Sequence, residues 1–127
     1  MNRDLSVLLG CLCIMGCTTT TERAGDIERG REVFVSRDGG HCVICHAAPG
    51  VAQAGNIGPP LSGVGSRLSR AQIRERVADI TRINPAAVMP AFHRTEGLQR
   101  VASAYAEQPI LSPSQLEDVV AYLSSLR

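Results

Sequence analysis

The sequence predicts an all-α fold, on three observations. Three segments carry helix-start signals followed by apolar residues three and four apart. No convincing series of strands appears anywhere in the chain. The stretches between the helical segments are too rich in glycine and proline to continue either kind of element. With 127 residues the chain makes one domain at most.

The first helix is expected from Asp26 to about Ser36, with Asp26 as its N-cap. Ile27, Gly30 and Phe34 fall on one face. A glycine inside a helix costs about 1 kcal/mol relative to alanine, so Gly30 implies close approach of another helix. Gly39 and Gly40 end the segment. A middle helix is expected from about Ser69 to Ile80, opened by a capping box of Ser69 and Gln72. Its apolar face is Ile73, Val77 and Ile80, with Arg70, Arg74 and Arg76 turned outward. The last helix has Ser112 as N-cap, Pro113 at its first position and Gln115 closing a second capping box. Glu117 and Asp118 lie in its dipole-positive early turns. Leu116, Val119, Val120, Leu123 and Leu126 form its apolar stripe, flanked by Tyr122. Val119 and Tyr122 are placed to receive Gly30 and Phe34 in a crossed helix pair.

Two loops separate these elements. Gly55 to Gly65 reads G-N-I-G-P-P-L-S-G-V-G and is expected to be neither helix nor strand. Asn84 to Phe92 carries prolines at Pro85 and Pro90 around Met89.

Gly39 and Gly40 lead into Cys42-Val43-Ile44-Cys45-His46. Two cysteines three apart, with a histidine next, are what covalent attachment of a c-type haem requires. The thiols add across the haem vinyl groups, and the histidine supplies an axial imidazole to the iron. One motif implies one haem c. A zinc site needs a second ligand pair, and no cysteine follows Cys45. A thioredoxin-like site belongs beside a βαβ pattern, and a disulfide between Cys42 and Cys45 would close a strained loop. The function class is therefore electron transfer. A carbonyl of Pro59 or Pro60 is placed to accept a hydrogen bond from the other nitrogen of His46, which fixes ring orientation and tunes the metal. For the sixth ligand, Met89 is favoured over His93, and His41 is a third candidate. Methionine opposite histidine raises the potential, and the proline-flanked loop presents Met89 rigidly. One of the arginines from Arg67 to Arg82 suits a haem propionate.

The N-terminal residues 1–16 read as a secretory signal. Leu5 to Met15 is apolar but too short to span a bilayer. Ile14-Met15-Gly16-Cys17 resembles a bacterial lipobox, which makes Cys17 a candidate for lipidation and membrane anchoring. Residues 17–25 then form a polar tether, and 26–127 the folded domain. The cysteine arithmetic agrees: Cys11 and Cys13 leave with the signal, Cys17 takes lipid, and Cys42 and Cys45 take haem. An exported chain of this kind belongs in the periplasm. The formal charge of +1 argues against nucleic acid, which wants a strongly basic face.

Together these features resemble a class I cytochrome c: Gly30 and Phe34, the haem motif, the Gly-Pro loop, Met89-Pro90, and the last helix with Tyr122. Gly55 to Leu61, Gly63 to Arg67, Arg82 to Pro85 and Met89 to Leu98 more closely resemble the SoxX family, the monohaem subunits of SoxAX cytochromes. The resemblance covers about Asp26 to the C-terminus. It implies a small helical domain around one covalent haem, with Cys42 and Cys45 bonded to it and His46 and Met89 as axial ligands. It also implies a SoxA-type partner that carries the catalytic haem and cysteine. That partner couples thiosulfate oxidatively to a cysteine of the SoxYZ carrier, so the complex resembles an L-cysteine S-thiosulfotransferase. By the same resemblance this chain has no catalytic residue of its own and passes electrons to a soluble cytochrome c. The long connection from Pro90 to Leu111 is expected either to bind the partner through Leu98, Val101 and Tyr105 or to pack the domain's own core. The alternative function is a free-standing periplasmic shuttle.

Overall fold

The computed structural model describes residues 24–127. The expected signal segment and Cys17 lie outside the described residues. Among these residues there are four α-helices, three short 3-10 turns and no strand. Helix α1 spans Ile27–Val35, α2 Val64–Arg67, α3 Arg70–Asp79 and α4 Pro113–Ser125.

Local chemistry sets the helix ends. The Asp26 carboxylate accepts from the Arg29 N–H and opens α1. Ser69 with Gln72 opens α3, and Ser112 with Gln115 opens α4, each as a reciprocal capping box. These ends lie within a residue or two of the expected ones. Helix α2 was not expected. Its first residues, Val64 and Gly65, belong to the stretch read as neither helix nor strand. This short turn is held from outside, because the Gly65 N–H donates to the Leu126 carbonyl at 2.9 Å.

Helix α4 is the centre of the molecule. Every residue from Leu116 to Leu123 is buried, so the helix is enclosed on all sides rather than along one stripe. Helix α1 crosses it at Gly30, where a Cβ would collide with the Asp118 carbonyl and meet Tyr122 Cβ at 2.8 Å. One turn on, the Phe34 ring packs edge-to-face on Tyr122, with centroids 5.5 Å apart and planes at 60°. Gly25 also lies against the Glu117 backbone, so packing begins within the stretch expected to be tether.

The two buried acids of α4 bind neighbouring helices. Asp118 accepts from the Asp26 N–H at 2.7 Å and from Arg29 Nε at 3.2 Å. Glu117 accepts from Arg74 Nε at 2.6 Å and from an Arg70 guanidinium nitrogen at 3.3 Å. Arg70 and Arg74 were expected to face solvent; instead they fasten α3 to α4. Replacing Glu117 with glutamine is expected to lower stability by about 1–2 kcal/mol. The arginines are nearly half exposed, so a buried-pair penalty is discounted. Denaturant unfolding of the wild type and variant measures the difference, and equal midpoints would show that the pairs contribute nothing.

The connection from Pro90 to Leu111 is a loop closed at its feet. The Leu111 N–H donates to the Phe92 carbonyl at 2.9 Å, and the His93 N–H to the Ala78 carbonyl at 3.0 Å. Phe92 and Leu111 are buried. Asp79, at the end of α3, accepts from Thr81 and from Arg94. The Thr81 hydroxyl, helped by Arg94, holds the Asp79 carboxyl below its ordinary range.

Candidate haem site

The haem motif folds into a tight turn. Cys42–Ile44 is a 3-10 turn entered through His41 in the left-handed region, at φ 45° and ψ 40°. The Cys45 and His46 N–H groups both donate to the Cys42 carbonyl, at 3.1 and 2.9 Å. Cys42, Cys45 and His46 thereby line one cavity of about 730 Å³. Gly40 sits where a Cβ would be 2.9 Å from Cys42 Sγ. Burial pushes the Cys42 thiol up to about 12. That direction is opposite to the lowered pKa of a thioredoxin-like cysteine. No group of three or more His, Cys, Asp or Glu among the described residues is arranged to hold a metal ion.

The Gly-Pro loop lies along this turn. Gly55 N–H donates to the Val43 carbonyl, Gly58 to Cys45 and Leu61 to Ala47, each at 2.8 Å. The loop carries the Pro59 carbonyl to 2.7 Å from His46 Nδ1. With the proton on Nδ1, that nitrogen donates and Nε2 is left with a free lone pair. Pro60 lines the same cavity. Gly58 has a role that sequence reasoning missed. A Cβ there would fall against the imidazole, 2.7 Å from Nδ1 and 2.8 Å from Nε2, so only glycine lets the loop pass the ring.

Apolar side chains make most of the remaining wall, including Phe34, Leu68, Val77, Phe92, Val119 and Leu123. Met89 lines this cavity and also a second one of about 450 Å³, which includes Leu98, Val101, Tyr105 and Ile110. His41 lines the first cavity, whereas His93 lines neither. The His93 Nδ1–H donates instead to the Leu111 carbonyl at 3.0 Å. Two thiols, an imidazole and a thioether thus face one apolar space, a donor set that fits a covalently attached haem.

A fold of capped helices around such a cavity defines a class, the c-type cytochromes. The cytochrome c family model matches residues 27–127, and the chain belongs to that family, which implies a covalently bound haem c. The chain is also similar to the crystal structure of SoxXA from P. pantotrophus. Identity there is 35%, with 84% of this chain and 85% of that chain covered, at a TM-score of 0.75. It is a SoxX-type cytochrome. The c-type cytochrome SorU from Sinorhizobium meliloti shares the fold, at 23% identity and a TM-score of 0.52, with 79% of this chain and 88% of that chain covered. No curated protein sequence matches the chain.

Proposed function

We propose that this domain is the electron-accepting subunit of a SoxXA-like complex. The observation that carries the reading is the gathering of Cys42, Cys45, His46 and Met89 on one apolar cavity. In this reading Cys42 and Cys45 would hold a single haem c through thioethers, and His46 and Met89 would be the residues that ligate its iron. The bound haem supplies reversible one-electron storage at its iron. The Pro59 carbonyl would fix the imidazole plane through Nδ1 and leave the Nε2 lone pair available to the iron. Met89 is preferred over His93 because His93 is committed to Leu111 outside the cavity. The chain supplies no nucleophile. The electrons come from oxidative coupling of thiosulfate to the SoxYZ carrier on a SoxA-type subunit, and leave to a soluble cytochrome c. The setting is the periplasm, with Cys17 as a lipid anchor.

The partner docks on the closed loop between Phe92 and Leu111. Leu98 and Val101 are about 40% exposed and Tyr105 is 69% exposed. None of the three belongs to the buried core, which favours an interface over self-packing. Gentle purification followed by a haem-stained denaturing gel tests the reading. A second, larger haem polypeptide is expected with the wild type. It should be lost when residues 98–108 are replaced by a short polar linker, while this chain keeps its own haem. A wild-type chain that comes away alone with one haem overturns the complex. The shuttle reading would then take its place, favoured by the exposed Ile44, Ile57 and Val88 on the cavity rim.

A further inference from the structure

We propose that Asp79, Thr81 and Arg94 form a clasp across the base of the segment that carries Met89, and that this clasp keeps the thioether in the haem cavity instead of the cavity beside it. The inference rests on the reading of Met89 as a haem ligand and adds the residues that position it.

The segment has two feet. One is the end of α3 with the 3-10 turn Ile80–Arg82, and the other is the stretch from Phe92 to Arg94. Asp79 joins them. Its carboxylate accepts from the Thr81 N–H at 3.0 Å and from the Thr81 hydroxyl on the near foot, and from Arg94 Nη1 at 3.4 Å on the far one. The same Arg94 nitrogen donates to Thr81 Oγ1 at 3.0 Å. One backbone bond, from the His93 N–H to the Ala78 carbonyl, runs alongside.

The acid stands where a carboxylate is costly. Asp79 is the last residue of α3, at the end where the helix dipole disfavours an anion, and it is 9% exposed, so its charge needs partners. The Thr81 N–H explains it as the cap of the following turn, but the bonds to Arg94 reach across fifteen and thirteen positions and serve no local element. Arg94 Nε is buried without a partner, so the guanidinium keeps this place through Nη1.

Met89 depends on those feet. Val88, Met89 and Pro90 make no hydrogen bond among the described residues. The nearest bonded positions are Ala87, whose N–H donates to the Asn84 carbonyl, and Ala91, whose carbonyl accepts from the Arg94 N–H. Beside Met89 lies the second cavity of about 450 Å³, which Thr81 and Arg94 also line. An open clasp therefore gives the thioether room to leave the haem cavity.

Carbon monoxide binds ferrous haem iron only where the sixth position is free, so its apparent affinity reports the fraction of molecules with Met89 displaced. In the holoprotein, Thr81→Val and Arg94→Gln are each expected to raise that affinity roughly tenfold, the size set by one hydrogen bond to a charged group. Thr81→Ser, which keeps the hydroxyl, should bind carbon monoxide as the wild type does. Met89→Ala sets the upper limit. Glu117→Gln loosens α3 from α4 away from this segment, and should lower the denaturant midpoint without changing the affinity.

If Thr81→Val and Arg94→Gln bind carbon monoxide no more tightly than the wild type, the inference is wrong. It is equally wrong if Glu117→Gln tightens binding as much, since general loosening would then be the cause, or if Thr81→Ser behaves as Thr81→Val does. Should Arg94→Gln fail to accumulate, the two Thr81 variants decide alone. A Met89→Ala protein with the wild-type spectrum and affinity would instead remove the ligand reading, and the clasp with it.

Discussion

Replacing Met89 with alanine is expected to lower the reduction potential and to erase the optical signature of sulfur ligation. A thioether is a soft neutral donor that favours ferrous over ferric iron, and its loss removes that preference. Axial-ligand identity spans roughly 0.8 V across haem proteins, so the expected fall is a readily measured part of that range. The neighbouring histidine is badly placed to compensate. His93 is fixed at both its backbone N–H and its ring nitrogen, to Ala78 and Leu111. Taking over ligation would mean unfastening the loop that it pins. The variant should therefore gain an open coordination position and bind carbon monoxide in the ferrous state. A spectrum and potential identical to wild type would show that Met89 is not the ligand, and would move the assignment to His93.

The largest effect on stability is expected from Gly30→Val. At this position α1 and α4 touch backbone to backbone, and a Cβ would occupy the space of the Asp118 carbonyl. A flexible side chain can move out of the way, but a carbonyl inside a buried helix cannot. The helices must separate, and separation also lifts Phe34 from Tyr122 and loosens Asp118 from Asp26 and Arg29. Overpacking costs about 1–3 kcal/mol where side chains can adjust. Here about 3 kcal/mol or more is expected, read as a lower denaturant midpoint of the holoprotein or as failure to accumulate. A midpoint equal to wild type would mean that the crossing is soft, and that the glycine is not what permits it.

The parts of the fold legible in the sequence are those written locally. Capping boxes at Ser69 and Ser112 involve residues three apart, so their signals survive without knowledge of the rest of the chain. The Gly30 crossing was legible in kind. Tyr122, an expected receiver, does meet both Gly30 and Phe34, but the tightest contact is the Asp118 carbonyl, because a residue's pattern position does not say which backbone atoms face the neighbour. The ion pairs of Glu117 and Asp118 were not legible. Each joins residues more than forty positions apart, and early-turn acids carry a sufficient local explanation in the helix dipole. Helix α2 was hidden for a related reason, since docking against the end of α4 holds it rather than its own propensity.

The candidate site divides the same way. The haem motif announces itself, and Met89 could be preferred from ligand chemistry. The choice between the Pro59 and Pro60 carbonyls, and the task of Gly58, needed the loop's path past the imidazole. The arginines that face the cavity could not be separated from their neighbours by spacing, because α3 turns Arg74 and Arg76 toward different partners.

The three bonds from Gly55, Gly58 and Leu61 to Val43, Cys45 and Ala47, in and just after the cysteine-bearing turn, use main-chain atoms alone. So does the acceptor at Pro59. The side chains of Asn56 and Ile57 are exposed and take no part in that framework. Mutational drift can therefore rewrite the outer face of this loop, and with it the choice of encounter partner, while the geometry at the metal is inherited intact. Two positions escape that freedom, Gly55 and Gly58, where any side chain would strike the turn or the imidazole. Natural variants of this protein should accordingly diverge in whom they meet faster than in how they hold an electron.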